Sequence, residues 1–75
     1  MKFSEAVKAL EEGKKIKRPS WAGYWVRVKD IYNPQHGKYT IHMHCRDGRV
    51  LDIRDTQDVF YTIGNMVAED WEIAE

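Results

Sequence analysis

The chain has 75 residues with 12 basic and 12 acidic side chains, so its formal net charge is zero. This length supports one domain over residues 1–75, and a chain this small buries only about 60% of its unfolded surface, which leaves a marginal core. Neutrality argues against a general binder of DNA or RNA, no apolar run approaches the ~20 residues of a membrane span, and a single cysteine cannot close an intrachain disulfide. We therefore expect a cytoplasmic domain that gains further stability by oligomerisation.

The first predicted element is a helix over residues 4–12 that covers a sheet. Ser4 suits the N-cap position, and Gly13 suits the position after the last helical residue, where the backbone is often left-handed. One face of this helix is apolar with the i, i+3, i+4, i+7 spacing: Phe3, Ala6, Val7 and Leu10.

After Gly13 the apolar spacing changes to every second residue, which predicts strands. Ile16 is the single apolar residue of a short strand that ends by Pro19. The next strand alternates two sets of residues: Tyr24, Val26 and Val28, and then Trp25, Arg27 and Lys29. We assign the first set to the buried face and the second to the polar face, where Trp25 would lie among charges as material for a subunit contact.

Turn signals separate the remaining strands. The segment "NPQHG", Asn33–Gly37, is a turn by composition, and Asp47–Gly48 is a strong hairpin signal. Between them, apolar residues alternate with polar ones: Tyr39, Ile41, Met43 and Cys45 against Lys38, Thr40, His42 and His44. A further strand over Val50–Ile53 completes the antiparallel meander.

The C-terminal part is predicted as a short helical turn over Ile63–Ala68, capped by Thr62. A last strand follows, in which Trp71 and Ile73 alternate. The predicted fold class is therefore α+β: a small antiparallel β-sheet with one N-terminal helix and a short C-terminal helical turn.

Metal-binding and catalytic patterns are weak. His42 and His44 share a strand face while Cys45 points to the other, and zinc needs three or four convergent ligands, so we predict no metal site. Ser20 and Cys45 lack the local signature of a nucleophile beside a base, and the five glycines form no phosphate-binding loop. We predict a protein that is not an enzyme and needs no cofactor.

The strongest functional signal is the stretch Lys17–Val28, "KRPSWAGYWVRV", which combines two tryptophans, a tyrosine and three cations without one acid. Aromatic faces stack on nucleobases and arginine pairs with phosphate, so this stretch suits a flat, negative ligand with Trp21 as a stacking face. Two other interpretations stay open. Trp21 covers one end of the core while Trp25 sits in a subunit contact, or the six cations of residues 14–29 pair with the seven acids of residues 52–75.

Three segments of the chain form a recognisable combination: "FSEAVKALEEGKKIKRPSW", a strand pair joined by "DG", and "MVAEDWEI". The characteristic residues lie at both ends of the chain: Phe3, Ala6, Leu10, Gly13, Lys15, Arg18 and Trp21, and then Asn65, Met66, Ala68, Glu69, Asp70 and Trp71. In these residues the chain resembles the second Thoeris anti-defence family, phage proteins that act as sponges for bacterial immune signalling nucleotides. The segment between Gly48 and Asn65, around "RDTQDVFYT", is longer than the family pattern, which leaves the pocket wall and the choice of ligand open.

The resemblance implies a homotetramer that sequesters glycocyclic ADP-ribose, uncleaved, in the cytoplasm of the infected bacterial host. The TIR-domain protein of the Thoeris system makes this signal, and its removal keeps the downstream effector inactive. The ligand carries an adenine and a diphosphate. The implied contacts on this chain are Trp21 and Trp71 as stacking faces, Arg18 and Arg27 as charge partners, Thr62 and Asn65 as polar contacts, and Tyr24 and Asp70 beside them.

A second class of function also fits the residues: a protein–protein inhibitor whose aromatic outer face binds a bacterial defence protein directly. Neither function requires catalysis or a membrane. They differ in what the protein removes from solution, which is a nucleotide in the first case and a protein in the second.

Overall fold

One antiparallel sheet holds all the strands of the computed structural model, which describes residues 1–31 and 39–74. The strands are β1 (Lys15–Lys17), β2 (Tyr24–Lys29), β3 (Tyr39–His44), β4 (Val50–Asp52) and β5 (Glu72–Ala74). They lie in the order β4-β3-β2-β1-β5. With helices α1 (Phe3–Glu11) and α2 (Val59–Met66), this is the predicted α+β fold. The predicted turn Asn33–Gly37 lies outside the described residues.

Helix α1 begins at Phe3, so that Ser4 lies exposed inside its first turn. The prediction of Ser4 as the N-cap is therefore wrong. Instead, the Glu5 carboxylate accepts a hydrogen bond from the backbone N–H three residues earlier, at 3.2 Å. The earlier start allows the Phe3 ring to pack against Trp71, with ring centroids 5.4 Å apart. At the other end the predicted stop is confirmed, since Gly13 has a φ of +82°.

Helix α1 packs on β1, β2 and β5, and Trp25 of β2 lies beneath it, only 4% exposed. Its register partners Ile16 and Met43 share this face of the sheet. The prediction that Trp25 lies on the polar face in a subunit contact is therefore wrong. On this face the Trp25 indole packs against the rings of Phe3 and Trp71, with centroids 6.3 and 5.1 Å away, and these aromatic contacts stabilise its burial.

Charged residues follow Trp25 on the same face because α1 does not extend over them. A helix of nine residues is about 14 Å long, which is too short to cover the whole of β2. Beyond its reach, Arg27 lays its guanidinium over the ring of Tyr39, 4.0 Å from the centroid. The strand therefore has its core residue near one end and a cation–π contact towards the other.

Helix α2 begins at Val59, four residues before the predicted helical turn. The Asp58 carboxylate caps it by accepting a hydrogen bond from the backbone N–H of Tyr61 at 2.8 Å. Thr62, the predicted cap, lies inside the helix, where its hydroxyl donates to the Asp58 carbonyl at 3.0 Å. The prediction of the cap is wrong because a carboxylate four residues earlier is a stronger acceptor than a hydroxyl. The last strand is confirmed as β5, with Trp71 immediately before it.

A forked ion pair joins the end of β2 to β4. Arg54 donates to Asp30 at 2.7 Å and to Asp52 at 2.8 Å, and the Asp30 side chain is only 4% exposed. Asp52 also accepts a hydrogen bond from the backbone N–H of Arg54 at 2.8 Å, which starts a short 3-10 turn, and one from the Thr40 hydroxyl at 3.1 Å. The hydrogen bonds from Arg54 hold the pKa of Asp52 well below its ordinary value.

This shift predicts a loss of stability in acid. The folded-state pKa of Asp52 is lower than its unfolded-state value, so the unfolded chain binds the additional proton. The contribution of Asp52 is therefore present above about pH 4 and is lost as the pH falls through the lower, folded-state pKa. Asp52→Asn should be less stable than the parent near neutral pH, and the difference should shrink on acidification.

Urea unfolding at several pH values measures this difference. Glu11→Gln, which changes an exposed carboxylate of α1, is the matched control and should follow the parent at every pH. A stability gap between Asp52→Asn and the parent that stays constant down to about pH 2 would contradict the assignment.

Candidate functional site

Four aromatic rings meet beside the N-terminal helix, and Trp71 is at their centre. Its ring centroid lies 5.1 Å from that of Trp25, 5.2 Å from that of Trp21 and 5.4 Å from that of Phe3. Its indole N–H donates to the backbone carbonyl of Asn65 at 2.9 Å. With only 2% of its surface exposed, Trp71 belongs to the core.

Arg18 connects the first strand region to the C-terminal segment. Its Nε and Nη2 donate to the two carboxylate oxygens of Asp70, at 2.8 and 3.3 Å, and its Nη1 donates to Asn65 Oδ1 at 2.9 Å. The hydrogen bond and the charge of the partner raise the pKa of Arg18 and lower that of Asp70. Lys17 makes a second contact of this kind with Glu72 at 3.8 Å. The basic stretch and the acidic tail therefore pair at these two positions.

Asn65 belongs to this network, and only 2% of its surface is exposed. Arg18 fixes the orientation of the Asn65 side-chain amide by donating a hydrogen bond to its Oδ1. Within residues 1–31 and 39–74, the Nδ2 group has no hydrogen-bond partner. A buried donor of this kind is costly, and an acceptor placed against it would be stabilised.

A cavity of about 580 Å³ opens on the other side of Trp21. Its walls come from residues 20–23 before β2, from Trp25 of β2, from the β3–β4 hairpin, and from residues 55–58 with Tyr61 and Thr62. The volume is within the range of about 300–1,000 Å³ that is usual for small-molecule sites. Trp21 therefore contacts the core through the rings of Trp25 and Trp71 and also forms part of the cavity wall.

The hairpin wall is built by short-range hydrogen bonds. Cys45 N–H donates to the Arg49 carbonyl at 2.8 Å, and Gly48 N–H donates to the Cys45 carbonyl at 3.1 Å, with a φ of +89° at this glycine. Asp47 accepts hydrogen bonds from the backbone N–H of Arg49 at 3.1 Å and from its Nε at 2.7 Å. The backbone hydrogen bond, with the side-chain bond, lowers the pKa of Asp47. These contacts hold Arg49 at the rim of the cavity.

The predicted ligand contacts separate into three groups. Trp21 and Thr62 line the cavity. The second group forms the buried and ion-paired network behind the Trp21 ring: Arg18, Asn65, Asp70 and Trp71.

Tyr24 and Arg27 form the third group, and the structure does not bring them to the cavity. Tyr24 lies on the face of the sheet opposite Trp25, where it stacks on His44 with ring centroids 4.4 Å apart. Lys15 Nζ lies 4.6 Å from the centroid of the same ring. Arg27 is engaged with Tyr39 as described above.

The sequence predictions omitted several residues of the cavity wall, among them Arg46, Arg49, Asp55, Asp58 and Tyr61. The hairpin signal at "DG" could have located the two arginines. Because β2 and β3 are antiparallel, the end of β3 lies beside the start of β2, next to the segment that carries Trp21. The other three belong to the long segment "RDTQDVFYT", whose path the sequence pattern left open.

Two further observations bear on the kind of site. No group of three or more His, Cys, Asp or Glu side chains is arranged to hold a metal ion within residues 1–31 and 39–74. In that same part of the chain, neither helix has the length and apolar character needed to cross a membrane.

The comparisons with known proteins agree with the resemblance noted in the sequence. The sequence model of the Thoeris anti-defense 2-like domain, Tad2-like, matches residues 1–74. The chain therefore belongs to the Tad2-like family of Thoeris anti-defence proteins, and this membership supports an anti-defence role. No curated protein sequence matches the chain.

A glycine variant tests how closely the segment that carries Trp21 approaches β3, and a second glycine, in α2, serves as its comparison. A Cβ atom at Gly23 would overlap the backbone carbonyl oxygen of His44, so Gly23→Ala must displace one strand from the other. Gly64, inside α2, has no described atom near the position of its Cβ. We expect Gly23→Ala to lower the melting temperature and Gly64→Ala to raise the free energy of unfolding by up to about 1 kcal/mol.

Thermal unfolding followed by circular dichroism compares the two variants with the parent. A Gly23→Ala protein that melts at or above the parental temperature would show that the close approach of Gly23 to His44 is wrong.

Proposed function

We propose that the protein binds glycocyclic ADP-ribose, holds it without cleavage, and thereby prevents activation of the Thoeris effector. It acts in the cytoplasm of the infected bacterial host, where the signal is made. Family membership supports the anti-defence part of this proposal. The cavity beside Trp21 supports the capture of a small molecule.

The observation that carries the proposal is the position of Trp21. Its ring is fixed by Trp25 and Trp71, at 5.6 and 5.2 Å between centroids, while it also lines the cavity. A ring held in this way is preorganised, so that stacking an adenine on it orders few further side chains. Stacking of one base on an aromatic side chain contributes about 1–3 kcal/mol.

The contacts of the cavity thiol favour retention of the nucleotide over cleavage. Cys45 is the one thiol there, and its Sγ donates to the carbonyl of Met43 at 3.7 Å. The neighbouring His44 stacks on Tyr24. Nucleophilic catalysis requires a nucleophile hydrogen-bonded to a base, and within residues 1–31 and 39–74 Cys45 and His44 form no hydrogen bond with each other.

A capture-and-release experiment tests the function. The purified protein is mixed with glycocyclic ADP-ribose, the unbound fraction is removed, and the protein is then denatured by heat. We expect the nucleotide to be depleted from the unbound fraction and recovered intact after denaturation. A nucleotide that stays free would contradict capture, and a recovered product of altered mass would contradict storage without cleavage.

Trp21→Ala should weaken nucleotide binding about five- to 150-fold, which corresponds to the loss of one stacked base. Calorimetric titration measures this loss at a temperature at which the variant is fully folded, as established from its melting curve. Tyr39→Ala, which removes an exposed aromatic side chain outside the cavity, is the matched control and should bind as the parent does. Parental affinity in Trp21→Ala would exclude the stacking role.

We also propose that the protein is a homo-oligomer, in the form of a tetramer, and that α2 provides a subunit contact. The buried residues of this helix are the polar Thr62 and Asn65. Large apolar residues are exposed on it, and Phe60 and Ile63, with Val67 directly after the helix, form one stripe with i, i+3, i+7 spacing. Phe60 alone is 86% exposed. A contiguous apolar surface of this kind is typical of an interaction site.

Phe60→Glu should therefore give a smaller assembly, because a carboxylate in an apolar contact between subunits loses its hydration. Light scattering at micromolar concentration measures the mass in solution. Ile31→Glu changes an apolar residue that is 72% exposed and lies outside α2, so it should leave the mass unchanged. A parent protein that is already monomeric would contradict the proposed assembly.

The exposed stripe of Phe60, Ile63 and Val67 also fits the second class of function, in which an exposed aromatic surface binds a bacterial defence protein. In that case the parent would leave the nucleotide free in the capture experiment. Phe60→Glu would then abolish inhibition of the defence system while the cavity variant Trp21→Ala retained it.

A further inference from the structure

The two arginines first expected to bind the ligand's phosphates are engaged elsewhere. Arg18 donates to both oxygens of Asp70 and to Asn65. Arg27 lies over Tyr39. Neither of them lines the cavity beside Trp21, so a diphosphate held there needs other cations.

Arg46 and Arg49 are the cations that do line the cavity. Arg46 is exposed and forms no ion pair with any residue in the described ranges 1–31 and 39–74. Arg49 is held by Asp47 through its Nε, and this hydrogen bond uses neither of the two terminal nitrogens of the guanidinium. Planar guanidinium groups match the geometry of phosphate oxygens and bind them with charge-assisted hydrogen bonds.

Acids line the cavity beyond the other end of β4. Asp55 and Asp58 line the cavity there, and Asp58 uses one carboxylate oxygen to cap α2. Carboxylates repel phosphate, but they accept hydrogen bonds from the hydroxyl groups of a ribose. The cavity therefore has a cationic wall at the hairpin, an acidic wall at the start of α2, and Trp21 as an aromatic wall.

We infer that the cavity binds its nucleotide in one orientation, with the diphosphate on Arg46 and Arg49, the base on Trp21 and the ribose hydroxyls towards Asp55 and Asp58. This inference rests on the proposed function and adds the residues that select a phosphorylated ligand. It replaces Arg18 and Arg27 as the charge partners and gives a function to the long segment before α2.

Calorimetric titrations of glycocyclic ADP-ribose into single variants test the orientation. Arg46→Gln and Arg49→Gln should each weaken binding about ten- to a hundredfold, as expected for the loss of a hydrogen bond to a charged group. Lys8→Gln, which removes an exposed cation of α1, is the control and should bind as the parent does. Melting curves of all variants should coincide, since the two hairpin arginines are exposed.

Asp55→Asn distinguishes the two possible directions of the ligand. With the diphosphate on the hairpin, this change should not tighten binding, because the amide still accepts a hydrogen bond from a hydroxyl. A gain of tenfold or more would mean that the diphosphate lies against Asp55, and it would overturn the orientation. Parental affinity in both Arg46→Gln and Arg49→Gln, with a loss in Arg27→Gln, would also overturn it.

Failure of the function and failure of the orientation give different results. If the parent does not bind the nucleotide, the proposed function and the orientation are both wrong. If the parent binds and the two hairpin variants bind equally well, only the orientation is wrong.

Discussion

The packing around the Trp71 indole is the constraint on which the other contacts depend. Its ring contacts Phe3 of α1 and Trp25 of β2, and its N–H bonds to the carbonyl of Asn65 in α2. Its backbone N–H and carbonyl pair with the first residue of the chain, at 3.1 and 2.7 Å. Because one side chain joins both helices and the sheet, the position of Trp21 on its outer edge, and with it the cavity wall, follows from the core.

Much of the fold follows from local patterns, whereas the errors arise where two patterns compete. Three patterns each predict one local structure, and each structure is found: the i, i+3, i+4, i+7 spacing of helix α1, the end of that helix at Gly13 and the hairpin at "DG". In β2, by contrast, both alternating sets contain apolar residues, and the sequence alone does not show which set α1 covers. The packing of the Trp25 indole against the rings of Phe3 and Trp71 decides it. The caps at Ser4 and Thr62 were misplaced because each helix begins earlier than the prediction, at Phe3 and at Val59, so that both hydroxyls lie inside a helix.

The site was predicted less completely than the fold because a cavity joins segments that are far apart in the chain. Trp21 could be recognised from composition, since it lies in a stretch rich in rings and cations. Arg46 and Asp55 give no such signal, and only the antiparallel pairing of β2 with β3 and the path of residues 55–62 bring them together. Helix α2 departs from the usual pattern in the same region, with polar residues buried and apolar residues exposed. Departures of this kind are expected where a chain serves function as well as folding.

The position of Cys45 makes the cavity chemically addressable. The sequence contains a single cysteine, and its half-buried side chain lies in the cavity wall. Any thiol-selective reagent that reacts with the folded protein therefore places its label in the cavity and nowhere else on the chain. A small alkylating group would fill part of the volume, and an environment-sensitive fluorophore on the same sulfur would report directly whether the cavity is occupied. Cavity occupancy can thus be followed by a covalent label on the natural sequence, with no engineered residue.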